Sequence, residues 1–273
     1  MKAPDFVYVR PGSIAEALAL LADTDADATP LAGGQSLMPM MNFRVAAPGK
    51  LVDLNGLAEL RGLRVENGMV RIGAMTRYAE LLASDDIREN IPLFGLALPH
   101  VAHAAIRNRG TIGGSVALAD PAAEIPALLL VLEAEIHMQG LAGTRAIAAE
   151  DFFLGLYETA LQEGEIVTEI VVPARKTTEQ FGFYEFARRH GDYAMAGVAL
   201  KVGGPDHCRI GFFGVADRAI RATRAEVAYR DGGVPAAMAA LDDLPFDGDL
   251  NAAAKTKRHL AGIALKRAFE GIS

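Results

Sequence analysis

The first 56 residues alternate between strand-like and helix-like patterns of apolar positions. Residues 6–9 form a short β-rich run, and Ser13 with Glu16 then forms a capping box, in which each side chain accepts a backbone N–H group at the start of a helix. The predicted helix carries apolar residues on one face at the helical period: Ile14, Ala17, Leu18 and Leu21. Strands follow at 29–32 and 51–54, which predicts a small strand–helix–strand lobe.

The pattern changes after residue 56. Asn67-Gly68 separates two alternating segments, and this dipeptide between strands is a hairpin signal. The strands predicted in this region are 63–65, 69–72, 135–138 and 165–172. The predicted helices are 77–83, 93–107 and 121–132, the last with a proline in its first turn.

A polar stretch at 176–180 is typical of a linker. Beyond it the sequence predicts strands at 181–189, 197–202 and 209–215, and helices at 235–241 and 251–269. The expected fold class is therefore α+β, with two domains. We assign residues 1–176 to the first domain, with sublobes of about 1–56 and 57–176, and residues 177–273 to a smaller sheet-plus-helix domain.

Composition excludes several classes of protein. The 273 residues carry a formal net charge of −7, and no basic stripe that would meet nucleic-acid phosphates is present. A single cysteine, Cys208, cannot hold an iron–sulfur cluster or form an internal disulfide, which favours a reducing compartment. No apolar run is long enough to cross a bilayer. We expect a cytoplasmic protein, at most peripheral at the inner membrane face.

The strongest chemical signal is the segment from Leu31 to Pro39, where Gly33-Gly34 follows a predicted strand. Two glycines in one turn allow positive φ and leave backbone N–H groups uncovered, and several such groups together bind phosphate oxygens. Ser36 adds a hydroxyl donor. A lone Gly-Gly pair is more often a tight surface turn, so this segment needs support from elsewhere in the chain.

A second segment supplies that support. Residues 108–115 also contain a Gly-Gly pair flanked by hydroxyl side chains, and Asp120 and Glu124 follow within reach of a ribose hydroxyl. Two such turns suit a diphosphate held from both sides. The chain has no G-x-G-x-x-G motif opening a helix, and Gly49-Lys50 lacks the other residues of a P-loop. A dinucleotide would therefore be held by another route.

Three segments carry a resemblance to a known family: AGGQSLMP at 32–39, RNRGTIGGS at 107–115 and ADPAAE at 119–124. Together they closely resemble the FAD-binding medium subunit of molybdenum hydroxylases of the carbon monoxide dehydrogenase and xanthine dehydrogenase type. The resemblance extends nearly end to end, with 181–194 similar to that family's domain junction. It implies a two-lobed FAD-binding domain of the vanillyl-alcohol oxidase and p-cresol methylhydroxylase type, followed by the smaller α+β domain.

The resemblance also implies which residues bind FAD. The pyrophosphate and the nearby flavin edge would be wrapped by Thr29, Pro30, Leu31, Ala32, Gly33, Gly34, Gln35, Ser36 and Leu37. The diphosphate would be held from the other side by Thr111, Ile112, Gly113, Gly114 and Ser115. Glu124 would bind the adenosine ribose, Val101 and Ala102 would border the flavin, and Tyr193 would approach the isoalloxazine from the C-terminal domain.

Two positions depart from the family pattern. Many relatives carry His in place of Gln35 and Asn in place of Ser115. Both replacements keep hydrogen-bonding capacity, so we expect FAD binding to survive. Because of these two differences, the affinity for FAD and the reduction potential of the flavin do not follow from the resemblance.

The partners follow from the same resemblance. A large subunit with the molybdenum cofactor would oxidise the substrate, a small subunit with [2Fe–2S] clusters would relay electrons, and FAD in this chain would pass them to an external acceptor. The expected assembly is a dimer of heterotrimers. No side chain here is expected to be catalytic and no metal is expected in this chain. The alternatives are a stand-alone flavin dehydrogenase of the vanillyl-alcohol oxidase type and a flavin-free scaffold subunit.

Some candidate residues fit more than one role. His100 and His103 lie three apart on a predicted helix, but a metal site needs a further ligand that the neighbouring sequence lacks. Arg107 and Arg109 could pair with FAD phosphates, or could stabilise the C-terminus of that helix through their positive charge. The sequence favours neither interpretation of the two arginines.

Overall fold

The computed structural model describes residues 2–204 and 207–272. The first lobe contains β1 (Val7–Val9), α1 (Ile14–Leu21), β2 (Ala28–Leu31), α2 (Leu37–Asn42) and β3 (Lys50–Asp53). Strands β1 and β2 both pair with β3 in parallel. Ser13 caps α1 by accepting the N–H of Glu16, and the Glu16 carboxylate accepts the N–H of Gly12. The predicted strand–helix–strand lobe is present.

The second lobe is built on a five-stranded antiparallel sheet in the order β4-β5-β10-β6-β7. The strands of this sheet are β4 (Leu63–Glu66), β5 (Met69–Gly73), β6 (Glu135–Gly140), β7 (Gly143–Ala148) and β10 (Ile166–Pro173). Two short strands, β8 (Phe153–Gly155) and β9 (Glu158–Thr159), pair with each other in a separate sheet. Its helices are α3 (Tyr78–Ala83), α4 (Asp85–Asn90), α5 (Pro92–Ala97), α6 (Ala104–Arg107), α7 (Ile112–Leu118), α8 (Glu124–Val131) and α9 (Ala149–Phe152).

The C-terminal part forms a four-stranded antiparallel sheet with two long helices. Its elements are β11 (Gln180–Ala187), β12 (Ala194–Val202), β13 (Cys208–Phe213), β14 (Ile220–Arg221), α10 (Thr223–Ala239) and α11 (Ala254–Glu270). The chain is therefore α+β, with sheets and helices in both domains.

Helix α8 joins the two domains. All eight of its residues are buried, which requires protein on every side of the helix. A Cβ at Gly211 of β13 would lie 2.8 Å from Cγ2 of Val131 and 2.9 Å from the carbonyl oxygen of Ala127, so the C-terminal sheet packs directly on α8. Phe181 and Phe213 of that sheet belong to the same apolar core as the second lobe. The two domains therefore share a core along this helix.

The prediction of one long helix at 93–107 is wrong. Helix α5 ends at Ala97 and α6 begins at Ala104, with a loop between them. Pro99 has no N–H to continue a helix, Ala102 has a positive φ of 46°, and His103 is extended. His100 and His103 therefore do not share a helix face.

Three other predictions needed correction. Gly113 and Gly114 lie in the first turn of α7, not in a surface turn, because Thr111 caps that helix. Helix α8 starts at Glu124, so the predicted first-turn Pro121 lies outside it. The predicted helix at 235–241 matches the second half of α10, but the sequence missed the first helical segment, which starts at Thr223 and ends at a kink at Gly232 and Gly233. The sequence pattern also missed strand β7.

The packing of the C-terminal sheet gives a matched pair of glycine variants. A Cβ at Gly197 of β12 would lie 2.1 Å from the ring of Phe213, which is fully buried and stacked on Phe183. Gly197→Ala should lower the free energy of unfolding by about 1–3 kcal/mol through overpacking. Gly262→Ala in α11, where nothing lies within 4 Å, should raise it by about 0.5–1 kcal/mol.

Urea denaturation of the two variants and the wild-type chain measures both effects. An unchanged midpoint for Gly197→Ala would mean that the Phe183–Phe213 pair can move aside without loss, which contradicts the packing described.

Candidate functional site

A cavity of about 590 Å³ lies where the two lobes and the C-terminal domain meet. This volume is in the range of small-molecule sites. Of the described residues predicted to contact FAD, all line this cavity except Leu31 and Ile112. Leu31 lies beside Gly34, and Ile112 is buried in the core of the second lobe. Segments far apart in sequence are thus brought to one cavity.

The turn after β2 is shaped by its two glycines for different reasons. A Cβ at Gly33 would lie 2.2 Å from the carbonyl oxygen of Arg109, so only glycine allows the two lobes to approach this closely. Gly34 has a φ of 71°, a conformation that side chains disfavour. The first glycine therefore sets the distance between the lobes, and the second turns the chain.

The same turn presents unpaired donors to the cavity. In the described part of the chain, the backbone N–H groups of residues 33–36 donate to no protein acceptor. The Gln35 side chain folds back and donates through Nε2 to the carbonyl oxygen of Gly33 at 2.8 Å. Ser36, which carries a hydroxyl group, also lines the cavity. Successive uncovered N–H groups form a concave site for an anion.

A polar support holds this turn from the side of β3. Asn55 donates through Nδ2 to the carbonyl oxygen of Ala32 at 2.8 Å and to Oδ1 of Asp53 at 2.7 Å. The Tyr8 hydroxyl also donates to Asp53. Burial acts to raise the pKa of the Asp53 carboxyl, but the hydrogen bonds from Tyr8 and Asn55 leave it below its ordinary value. Asp53 is therefore charged, which orients Asn55 toward the turn.

The second glycine pair has another role. The first N–H groups of α7 are already used: Ile112 donates to the carbonyl oxygen of Thr76 at 3.0 Å, Gly113 to that of Ala74 at 2.8 Å, and Gly114 to Oγ1 of Thr111 at 3.2 Å. A Cβ at Gly113 would lie 2.5 Å from Cβ of Ala74. These glycines allow close packing of α7, and they leave the hydroxyls of Thr111 and Ser115 as the donors on this wall. Contact of this segment with a diphosphate stays a prediction.

Acidic groups form the wall beside α8. Glu124 is 7% exposed, and burial, reinforced by the charge of Glu185, raises the pKa of its carboxyl to about 8. Burial also raises the pKa of Asp120, which accepts hydrogen bonds from the N–H of Ala122 at 2.9 Å and from the Tyr157 hydroxyl at 3.3 Å. Glu124 is therefore a neutral acid near neutral pH, able to donate as well as accept a hydrogen bond.

The C-terminal domain reaches the cavity through the turn at 188–193. Tyr193 lines the cavity although 60% of it is exposed, and partial desolvation together with the nearby carboxylates raises the pKa of its hydroxyl. Gly191, with a φ of 80°, lies against the loop between α5 and α6, since a Cβ there would be 2.4 Å from the carbonyl oxygen of Ala102. Val101 and Ala102 line the same side.

Sequence reasoning missed several lining residues. Tyr78 is buried, which raises the pKa of its hydroxyl, and it lines the cavity. Met75 and Gly191 also line the cavity, as does Asp120, which the sequence had already placed with Glu124 within reach of a ribose hydroxyl. Tyr78 and Met75 reach the site through the fold alone, and no local pattern marks them. No group of three or more metal-binding side chains occurs in residues 2–204 or 207–272.

These features are those expected of a class of protein that binds an extended, phosphate-containing ligand between two domains. The comparisons agree. A family model described as the FAD binding domain in molybdopterin dehydrogenase matches residues 4–175, and one described as the CO dehydrogenase flavoprotein C-terminal domain matches residues 181–272. The chain therefore belongs to the FAD-binding medium subunits of the molybdenum hydroxylases, and it is an FAD-containing oxidoreductase subunit.

Curated relatives cover most of the chain. The 6-hydroxypseudooxynicotine dehydrogenase complex subunit alpha of Paenarthrobacter nicotinovorans is 43% identical over 231 residues, which is 83% of this chain and 78% of the relative. The carbon monoxide dehydrogenase medium chain of Hydrogenophaga pseudoflava is 42% identical over 225 residues, or 81% and 78% of the two chains.

Solved structures match over nearly the full length. Carbon monoxide dehydrogenase from Hydrogenophaga pseudoflava superposes with a TM-score of 0.95 at 40% identity, covering 99% of this chain and 98% of the other. Quinoline 2-oxidoreductase from Pseudomonas putida 86 superposes with a TM-score of 0.92 at 35% identity, covering 99% of this chain and 97% of the other. Among the helices of the described residues, none has the length and apolar character of a membrane span.

The raised pKa of Glu124 gives a test of the acidic wall in the flavin-free chain. Between its ordinary value of 4.5 and about 8, the folded chain holds a proton that the unfolded chain has lost. The free energy of unfolding should therefore fall as pH rises through this window, by up to about 1.4 kcal/mol per pH unit from this group. Glu124→Gln should remove that component, as urea denaturation across the window would measure.

Glu89→Gln on the exposed face of α4 is the matched control and should keep the wild-type slope. Identical pH dependence in Glu124→Gln and wild type would contradict the buried neutral acid.

Proposed function

We propose that the cavity binds FAD with its diphosphate against the turn at residues 33–36. The observation that carries this assignment is the run of unpaired N–H groups in that turn, which a diphosphate would satisfy with charge-assisted hydrogen bonds. The hydroxyls of Thr111 and Ser115 face the same space from α7. The residues present therefore fit the cofactor that the family model implies.

The rest of the cavity suits the remaining parts of FAD. Glu124 holds the adenosine ribose, because a neutral carboxylic acid can both donate to and accept from a hydroxyl group. Val101 and Ala102 give an apolar border to the flavin ring, and Tyr193 covers it from the C-terminal domain. Two domains, divided near residues 176 and 177, would each supply one side of the site.

The chain's role would be electron transfer within a larger enzyme. It receives electrons from [2Fe–2S] clusters of a small partner subunit and passes them to an external acceptor, while a large partner subunit with the molybdenum cofactor oxidises the substrate. The names of the relatives, which are subunits and medium chains of dehydrogenases, support this division over a stand-alone flavin dehydrogenase. The assembly we propose is a dimer of heterotrimers.

The bound flavin would supply the redox chemistry, which is the exchange of one or two electrons. The protein's own groups bind and position it. The turn at 33–36 neutralises the diphosphate with fixed dipoles, Asn55 and Asp53 hold that turn in place, and Tyr193 limits the access of water to the ring face. No side chain of this chain is required as an acid, base or nucleophile.

A pair of glycine variants tests this proposal in the purified complex. In Gly33→Ala the new Cβ would meet the carbonyl oxygen of Arg109 and displace the turn, so FAD content should fall to about a tenth. Gly95→Ala on the exposed side of α5, with nothing within 4 Å, should keep full FAD. FAD per chain is measured by absorbance after denaturation.

Anaerobic addition of substoichiometric dithionite then follows the flavin absorption band together with the electron paramagnetic resonance signals of the partner's clusters. In wild type and Gly95→Ala the flavin should bleach as the cluster signals decay, whereas in Gly33→Ala the cluster signals should persist. A flavin that stays oxidised beside reduced clusters would contradict the electron-transfer role, and full FAD in Gly33→Ala would contradict the assigned turn.

A further inference from the structure

The guanidinium of Arg107 contacts the loop that borders the cavity, although Arg107 itself does not line the cavity. Its Nη1 is 2.9 Å from the carbonyl oxygen of Val101, 3.0 Å from that of Ala102 and 3.3 Å from that of Pro99. These carbonyls belong to the loop at 99–102, which precedes α6, so Arg107 neither caps its own helix nor reaches toward the turn at 33–36.

This loop needs such a restraint. Ala102 has a positive φ of 46°, a conformation that costs free energy for any residue with a Cβ. Three part-buried carbonyl oxygens converge on this nitrogen, and such a group of acceptors is unfavourable unless a donor meets it. The two N–H groups of Nη1 are shared among the three, most closely with Val101 and Ala102, and charge-assisted bonds are the stronger kind. Arg107 therefore restrains the loop.

The C-terminal domain contacts the same loop. Gly191 lies so close to Ala102 that a Cβ would be 2.4 Å from its carbonyl oxygen. His100 Nδ1 is 3.2 Å from Oε1 of Glu185, and its ring lies 5.4 Å from that of His190 between centroids. The Arg107 guanidinium and the turn at 188–193 therefore both contact the loop, and they meet at the carbonyl oxygen of Ala102. Tyr193, two residues after Gly191, lines the cavity.

We infer that Arg107 is a positioning residue of the flavin site: by holding the loop at 99–102 it sets where Val101 and Ala102 border the flavin and, through Gly191, where Tyr193 lies. This inference rests on the proposed function, since it takes the ligand to be FAD. Its action is indirect, because Arg107 is outside the cavity and Tyr193 is inside it. The residue couples the junction between the domains to the flavin environment.

The test compares variants of the full chain after removal of flavin. Arg107→Met keeps the length of the stem and removes the donors, Arg107→Lys keeps one cationic donor group, and Arg88→Met on the exposed α4 is the matched charge control. Titration with FAD measures Kd, and the fluorescence of the bound flavin reports on its neighbour Tyr193. The dissociation constant should rise about tenfold in Arg107→Met, less in Arg107→Lys and not at all in Arg88→Met.

A double-mutant cycle shows whether Arg107 acts through Tyr193. Tyr193→Ala should increase flavin fluorescence by itself, and adding Arg107→Met should then change the fluorescence by less than it does in the wild-type background. A purely structural role would lower the unfolding temperature and leave bound-flavin fluorescence unchanged. Additive effects of the two substitutions, or a wild-type Kd in Arg107→Met, would overturn the inference.

A second route keeps the inference testable if Arg107→Met fails to fold. Gly191→Ala disturbs the same loop by a Cβ that would meet Ala102. It should raise the Kd for FAD and, by displacing Tyr193, raise the fluorescence of the bound flavin as Tyr193→Ala does; a wild-type value of both would overturn the inference. A wild-type chain that fails to bind FAD at all would instead refute the proposed function, so the two failures are distinguishable.

Discussion

The proposed flavin site depends on one backbone contact between the two lobes of the first domain. The turn after β2 meets the chain before α7 at Gly33, where a single added carbon would collide with the carbonyl oxygen of Arg109. Because the lobes touch here through backbone, the unpaired N–H groups of residues 33–36 and the hydroxyls of α7 face the same cavity. Any side chain at this position would separate the two walls.

The C-terminal domain completes the site by the same kind of contact. Gly191 lies against Ala102 as Gly33 lies against Arg109, and in each case glycine allows one segment to be positioned by another's backbone. Helix α8, buried on all sides, fixes the larger arrangement and carries Glu124 at its first residue. Burial of that carboxyl raises its pKa, so the acidic wall is less negative than its composition indicates.

The sequence predicted many residues that line this cavity because they lie in short motifs, while their contacts with FAD stay a prediction. The Gly-Gly turn at 33–34 follows a strand as expected, and Glu124 and Tyr193 reach the same cavity as residues 33–36. The local patterns also predicted most strands and the α+β class, since alternation and turn residues are local signals.

What the sequence could not predict depends on tertiary contacts. The pair Gly113-Gly114 has the composition of a turn, but Thr111 caps a helix there and the pair packs against Ala74. The apolar run around 93–107 has helical periodicity, yet Pro99 and the positive φ of Ala102 interrupt it. The acceptors of Arg107 are carbonyls exposed only by that interruption, so no residue pattern could reveal them.

The most direct measurement is a crystal structure of the chain with FAD bound. The account predicts that the diphosphate oxygens lie within hydrogen-bond distance of the N–H groups of residues 33–36, with the flavin ring between Val101 and Tyr193. A diphosphate bound elsewhere, with those N–H groups facing only water, would contradict it.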